Sequence, residues 1–480
     1  MTVGDATGTG AGRRIALAAL LLGTFMGVLD TFVVTVALPA IRADLRANFG
    51  QTQLILAGYA LAYAVGLITG GRLGDVYGRR RMFMPGMAAF VAASVACGIA
   101  QNPIVLIAGR IIQGLAAAAV LPQVLSTIRA VFPDEERRTA VGWYGTVVGL
   151  GAVAGPVIGG LLVGIDLGGF GWRLVFLINV PVGLVAMVGA ALTVPESHAV
   201  GAAGLDLVGV GLSGAGLAAA LLALTQGIET SWSPWTFWLL AAAPLLLGGF
   251  VAHERRLART AAADPLLPLR LFAHRGFAGG IGVVLLLYAG DALFFVLTSY
   301  FQEGLRLSPA QTGLLLAPVG LGFALASAVA ARLVARRGLL VPATGIALNT
   351  AGLVGVAVVD ATRTAAERPP WFALVLLIVG MGHGLAINPI INLVVSAVAP
   401  HDAGVASGVL LTTTQVANAL GVAVAGSLFV GLLTRGPGPH GTAEFSRALV
   451  WAMVLLAALT VAALPLLRRL RDEVEPVHPT

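Results

Sequence analysis

The chain has 480 residues, 58% hydrophobic and only 11% charged, with a mean hydropathy of +0.92. This excludes a water-soluble globular protein, which needs far more polar surface at this size. Lysine is absent, so the net charge of +7 rests on 29 arginines. They sit in short gaps between apolar runs, which excludes a nucleic-acid patch and reads as membrane topology.

Apolar stretches of about 20 residues cross a bilayer as helices, and the short alternating segments of a β-barrel are absent. The pattern predicts an all-α integral membrane protein. Fourteen spans are expected near 15–40, 52–71, 83–101, 104–128, 139–164, 174–194, 205–226, 235–252, 277–300, 309–331, 339–359, 371–398, 404–433 and 447–467. Arg13 and Arg14 precede the first run as in a signal peptide. That run is too long for one, and more spans follow, so it reads as an uncleaved first span. With the N-terminus in the cytoplasm, inside loops and tails hold 20 arginines. Outside loops hold 8: Arg42, Arg46, Arg173, Arg306, Arg363, Arg368, Arg435 and Arg447. This asymmetry places both termini in the cytoplasm of a multi-pass protein of the cell (inner, cytoplasmic) membrane. The single cysteine, Cys97, allows no intramolecular disulfide.

The first span carries Leu29-Asp30-Thr31 and Ala37-Leu38-Pro39. The gap after the second span reads G-R-L-G-D-V-Y-G-R-R-R over 71–81. An acid and several arginines on a glycine-bounded loop must lie in water. Asp75 is placed to cap a helix or pair with Arg79; positive-inside topology alone would also account for the arginines. The fourth span holds Leu106, Arg110, Gln113 and Gly114. Arginine in an otherwise uncharged span is costly and should face a partner or a cavity. Counting from the outer ends, Arg110 lies about 9 Å deep and Asp30 about 14 Å deep, so the two can meet. The protonation of an acid there depends on what stands beside it, which suits exchange of a proton for a substrate; a fixed structural pair is the alternative.

The fifth span contains Gly151, Gly155, Pro156, Gly159 and Gly160. Glycines four apart make a smooth face for close helix packing, and the proline bends the helix. Trp172-Arg173, Phe176, Asn179-Val180-Pro181 and Gly183 follow. In the ninth span Asp291 is the acid comparable to Asp30, with Tyr288, Phe294 and Phe295 nearby. Acid plus aromatics suits a hydrophobic cation, although each aromatic singly also suits packing. His383 lies near the middle of the twelfth span, followed by Asn388, Pro389 and Asn392. It is placed either to carry protons or to make one neutral hydrogen bond, and the proline frees backbone carbonyls inside the bundle.

An internal repeat runs through these features. A shift of 260 residues lays 30–73 on 290–333 without a gap, so that Arg46 meets Arg306 and Gln51 meets Gln311. After changes in loop length Gln113 meets His383. The motif of 71–81 decays to A-R-L-V-A-R-R-G over 331–338, without the aspartate. The expected domains are a six-span bundle over 1–198, two inserted spans over 199–253, a cytoplasmic linker over 254–275 and a second six-span bundle over 276–480.

Gly71, Asp75, Gly78, Arg79 and Arg81 closely resemble the loop between spans 2 and 3 of major facilitator superfamily transporters. The first-, fourth-, fifth- and sixth-span motifs resemble its fourteen-span drug:proton antiporter branch. The resemblance implies the major facilitator fold: two six-helix bundles plus two extra helices, related as parallel repeats. It implies that the loop latches the halves on the cytoplasmic side. It further implies proton coupling through Asp30, Arg110, Asp291 and His383. Binding of amphipathic, cationic drugs or antibiotics would fall to Asp30, Gln113, Tyr288, Asp291, Phe294, Phe295 and Asn388. A dedicated exporter of one natural product or lipid is the narrower alternative; a membrane-embedded enzyme or a sensor would need a nucleophile, metal set or output domain that the sequence does not display. The expected partners are small-molecule substrates, protons and membrane lipids, with no nucleic acid, for a monomer. No cofactor or metal is expected. There is no G-x-x-x-x-G-K-[ST] loop for ATP and no metal-ligand spacing, leaving the proton gradient as the energy source.

Overall fold

The computed structural model describes residues 10–198, 206–230, 232–260, 266–267, 269–364, 367–396, 398, 403–433 and 441–474. The domain boundary expected after residue 198 and part of the expected linker, 261–265 and 268, lie outside the described residues. Among the described residues the secondary structure is helical throughout: α1 (Gly10–Leu45), α2 (Phe49–Tyr77), α3 (Arg79–Gly98), α4 (Pro103–Val131), α5 (Asp134–Ile165), α6 (Leu174–Leu177), α7 (Asn179–Thr193), α8 (Leu207–Glu229), α9 (Pro234–Thr260), α10 (Arg275–Ala289), α11 (Ala292–Ser299), α12 (Pro309–Arg337), α13 (Leu340–Thr362), α14 (Arg368–Ser396), α15 (Ala403–Leu433) and α16 (Thr442–Val474). Among the described residues fourteen helical segments are long and apolar enough to cross a membrane, with Gly171–Thr193 forming one and Arg275–Gly304 another.

The helix ends follow from local chemistry, and they repeat. Asn48 accepts from Gln51 N at 2.8 Å while its own N–H donates to Gln51 Oε1 at 3.0 Å. Ser308 and Gln311 make the same reciprocal cap at 3.2 and 2.9 Å. Each box satisfies donors that a helix start leaves open. Two residues before each cap, Arg46 (φ 52) and Arg306 (φ 59) take the left-handed conformation that turns the chain. These positions are the ones paired by the 260-residue shift.

The chain forms two compact units. The first comprises Met1–Ala218 with Ala242–Leu266, the second Ala219–Ala241 with Leu267–Thr480. In the first, α2 packs on α4, α1 on α5 and α7, and α3 on α4. Its interior holds Leu20, Met26, Phe83, Met87, Phe90, Val124 and Ala186. In the second, α12 and α13 pack on α14, and α10 on α15 and α16. Phe277, Val283, Leu287, Ile346, Ile387 and Ile390 fill its interior. Small residues let these helices approach closely, as membrane packing requires.

The ninth span departs from a continuous helix. Gly290 N donates to Leu287 O at 3.0 Å, Asp291 N to Tyr288 O at 3.1 Å, and Phe294 N to Asp291 O at 3.0 Å. These three-residue steps tighten the helix between α10 and α11. Beyond α11 the chain widens into a π-turn over Tyr300–Gly304.

Candidate functional site

Asp30 on α1 is the centre of a buried network in the first unit. The side chains of Arg110 and Asp30 are 1% and 0% exposed. Arg110 donates to Asp30 Oδ2, to Gln113 Oε1 at 3.0 Å and to the Ile55 carbonyl at 3.1 Å. Its guanidinium lies over the Tyr59 ring, 4.1 Å from the centroid. Asp30 Oδ1 accepts from Asn179 at 2.8 Å and from Gln113 Nε2 at 3.4 Å. Gln113 also donates to Ser94 Oγ at 2.8 Å. α1, α2, α3, α4 and α7 thus each supply a group. A buried charge persists only where paired and hydrogen-bonded, and Asp30 has a partner on each oxygen. Anything that displaces Arg110 or protonates Asp30 must open this network.

The glycine face of α5 abuts the same stretch of α1. A Cβ on Gly151 would lie 2.9 Å from Val28 Cγ1, and one on Gly155 3.3 Å from the Leu29 carbonyl. Gly159 faces the Val33 backbone. Gly160 and Pro156 are buried on the same helix.

In the second unit Asp291 sits at the break between α10 and α11. His383 Nε2 on α14 lies 3.9 Å from Asp291 Oδ1, an ion pair when the imidazole is protonated. Tyr288 meets His383 edge-on at 5.6 Å, and Phe323 meets it at 5.9 Å. Gln113 and His383, paired by the repeat, each meet an acid: Gln113 reaches Asp30 in one unit, and His383 approaches Asp291, one position past the repeat equivalent of Asp30, in the other. Phe295 is buried and Phe294 half-buried; Asn388 is half-buried further along α14.

The expected loop over 71–81 is helical except at Gly78: Gly71 and Asp75 lie in the last turns of α2 and Arg79–Arg81 in the first turn of α3, and this junction is held at several points inside the first unit. Arg79 pairs with Asp75 at 3.1 Å and donates to the Ser126 carbonyl at 3.1 Å. Glu196, past the end of α7, accepts from the backbone N–H of Arg80 at 3.1 Å and of Arg81 at 3.0 Å. A carboxylate there satisfies open donors at the start of α3 and meets its positive dipole end. Gly78 has φ +108, and a Cβ on it would also strike the Glu196 carboxylate at 2.5 Å. Gly71 is half-buried, and a Cβ on it would meet Pro122 at 3.7 Å.

Sequence reasoning did not single out Asn179, Ser94, Tyr59, Phe323 or Glu196 as site residues. Asn179 lay inside a recognised motif, and that was its available signal. Two further clusters also escaped it. Asp44 accepts from Trp172 Nε1 at 2.9 Å and Arg173 at 2.7 Å. Arg368 pairs with Asp360 at 3.2 Å and donates to Tyr300 Oη at 2.9 Å, while Tyr300 donates to Asp360.

Comparison with known proteins places this geometry. The family model described as Major Facilitator Superfamily matches residues 20–422. A probable actinorhodin transporter of Streptomyces coelicolor is 39% identical over 466 residues, covering 94% of this chain and 78% of the relative. A puromycin resistance protein of Streptomyces alboniger is 36% identical over 441 residues, covering 90% and 84%. The solved structure of a bacterial homolog of the human lysosomal transporter Spinster superposes with a TM-score of 0.72 at 18% identity, covering 97% of this chain and 98% of that one, a likeness of fold. The chain belongs to the Major Facilitator Superfamily, with fourteen candidate spans.

Proposed function

We propose that this multi-pass membrane transport protein, which is not an enzyme, exports amphipathic, cationic small molecules in exchange for protons. The observation that carries this reading is the buried Asp30–Arg110 pair with its full set of donors. A positive substrate or a proton competes with Arg110 for the same carboxylate, so occupancy by one releases the other. Asp291 with His383 and the aromatic edges of Tyr288 and Phe323 forms the second acid site. Its carboxylate attracts positive substrates, and Phe294, Phe295 and Asn388 extend the apolar and polar contact. The bundles 1–198 and 276–480 work by alternating access, with the Gly71–Asp75–Gly78–Arg79–Arg81 loop as latch, in a monomer with both termini in the cytoplasm. The relatives named for puromycin resistance and for multidrug resistance support drug export. The relative named a probable actinorhodin transporter favours the narrower reading, a single natural product.

The test is transport in proteoliposomes under an imposed pH gradient, with a matched cationic and neutral substrate. Asp30→Asn should abolish gradient-driven export of both. Asp291→Asn should reduce the cation's export more than the neutral compound's. Full proton-coupled export by Asp30→Asn overturns the coupling, and equal losses in Asp291→Asn overturn the selectivity. Reporters fused at Thr480 and near Gly438 should read opposite sides of the membrane.

A further inference from the structure

The helix α9 carries a groove apart from the two acid sites. In its membrane-crossing window only 11% of residues are buried, so most of its circumference faces lipid. One stripe of the helix, running from Pro244 to Arg259, lines a shallow, open groove of about 940 Å³ walled by this helix alone. Leu247, Gly248 and Val251 form its apolar length, and Arg255, Arg256 and Arg259 its end. Steps of one, three and four place the six within one half of the helix circumference. The arginines are exposed.

The register of α9 in the bilayer follows from its two ends. Trp235 and Trp238 are 43% and 76% exposed near the start of the helix, where an aromatic belt meets one interface. Seventeen residues separate Trp238 from Arg255, a rise of about 26 Å. That is close to the hydrocarbon thickness of a bilayer, about 30 Å. The arginines therefore stand at the level of lipid phosphates while Leu247, Gly248 and Val251 stand among acyl chains. A guanidinium holds a phosphate oxygen pair through fixed parallel donors, and the missing side chain at Gly248 leaves a notch for a chain.

We propose that this groove binds one anionic phospholipid, with its phosphate on Arg255, Arg256 and Arg259 and an acyl chain along Leu247, Gly248 and Val251. The inserted pair of spans then includes a lipid anchor. Uncharged-headgroup lipid is the wrong complement, because a zwitterion brings its own cation to the arginines. A short soluble anion fills only the basic end.

The experiment is native mass spectrometry of the full-length protein from phosphatidylcholine-containing micelles, titrated with phosphatidylglycerol. The triple variant Arg255→Gln/Arg256→Gln/Arg259→Gln should bind phosphatidylglycerol at least about tenfold more weakly, since each surface arginine contributes to anionic-lipid attraction. Gly248→Phe fills the notch with all charges kept, and a Cβ there meets nothing within 4 Å, so folding is spared. It too should weaken the binding. The control triple Arg332→Gln/Arg336→Gln/Arg337→Gln removes equally exposed arginines from α12 and should leave the tightly bound lipid in place. Equal loss in both triples would show diffuse electrostatics and overturn the site. Unchanged binding by Gly248→Phe overturns the acyl groove. Equal retention of phosphatidylcholine, or competition by millimolar inorganic phosphate alone, overturns the lipid assignment.

Discussion

Asn179 donates its side-chain amide to Asp30 Oδ1 at 2.8 Å, joining the sixth-span motif to the first-span acid. Asn179→Leu keeps the volume and removes the donor. A hydrogen bond to a charged group contributes about 1.5–3 kcal/mol, so the purified variant should melt at lower temperature. Drug tolerance in an efflux-deficient host should fall towards that of cells without the transporter. Wild-type melting together with full tolerance would exclude the role given to this contact.

Arg110 and Asp30 should show strong coupling. Removing one partner of a buried pair leaves the other charge uncompensated, at a cost of about 3–5 kcal/mol. Arg110→Gln alone should therefore destabilise severely, and Asp30→Asn/Arg110→Gln should recover much of the loss while export stays absent. Arg110→Lys keeps the charge but cannot reproduce the bonds to Gln113 and Ile55 together with stacking on Tyr59. It should fold and fail to transport. The measurement is a thermal denaturation series in detergent, paired with substrate uptake into inverted vesicles.

Gly155 should tolerate no side chain. A Cβ there would approach Phe32 Cβ to 2.5 Å, next to the turn that carries Asp30. Gly155→Val must push α5 away from α1, and export should drop by at least about tenfold, the scale of a 1–3 kcal/mol overpacking cost. Gly149→Ala on the same helix meets nothing within 4 Å and should behave as wild type. Growth-inhibition curves for the two variants decide the matter; equal curves count against a close-packed face.

Asp206 gives a prediction about pH. Burial pushes its carboxyl up, but the Gly209 amide and His253 together pull it further down, so it lies below the ordinary aspartate value of 3.8. A lowered acid contributes stability above its unfolded value and loses it as pH falls through the folded one. Between pH 7 and 5 the contribution is complete; it disappears only below pH 3.8. Asp206→Asn keeps an oxygen for the Gly209 N–H but removes the negative charge beside the helix start and His253, so it should lower the melting temperature at neutral pH by the charge term, about 0.3–1 kcal/mol, and the gap to wild type should close in acid. A gap that widens in acid would contradict the assigned sign.

The spans were legible because hydropathy and length are one-dimensional properties. The caps at Asn48 and Ser308 were not singled out, although their partners lie only three residues apart and the 260-residue repeat had already paired Gln51 with Gln311. The Asp30–Arg110 encounter could be anticipated because depth follows from counting residues along two helices. Asn179, Ser94 and Tyr59 could not be placed around it by counting, since their facing depends on how α2, α3 and α7 rotate as they pack. Tyr300, Asp360 and Arg368 lie at the ends of three different spans, and nothing local draws them together. The break at Gly290–Asp291 has no proline to announce it; the glycine there is one of 63.

That break separates the two acids in stiffness. Asp30 rides within α1, an uninterrupted helix from Gly10 to Leu45, and side chains of α4 and α7 hold both oxygens of its carboxylate. Asp291 rides where α10 stops and α11 has yet to begin. Gly290 and Asp291 keep helical dihedrals but bond three residues back, so the rod runs on through one over-tightened turn, and that turn yields before the regular helix on either side. One half of the molecule therefore carries its acid as a fixed post, and the other carries it on a pivot.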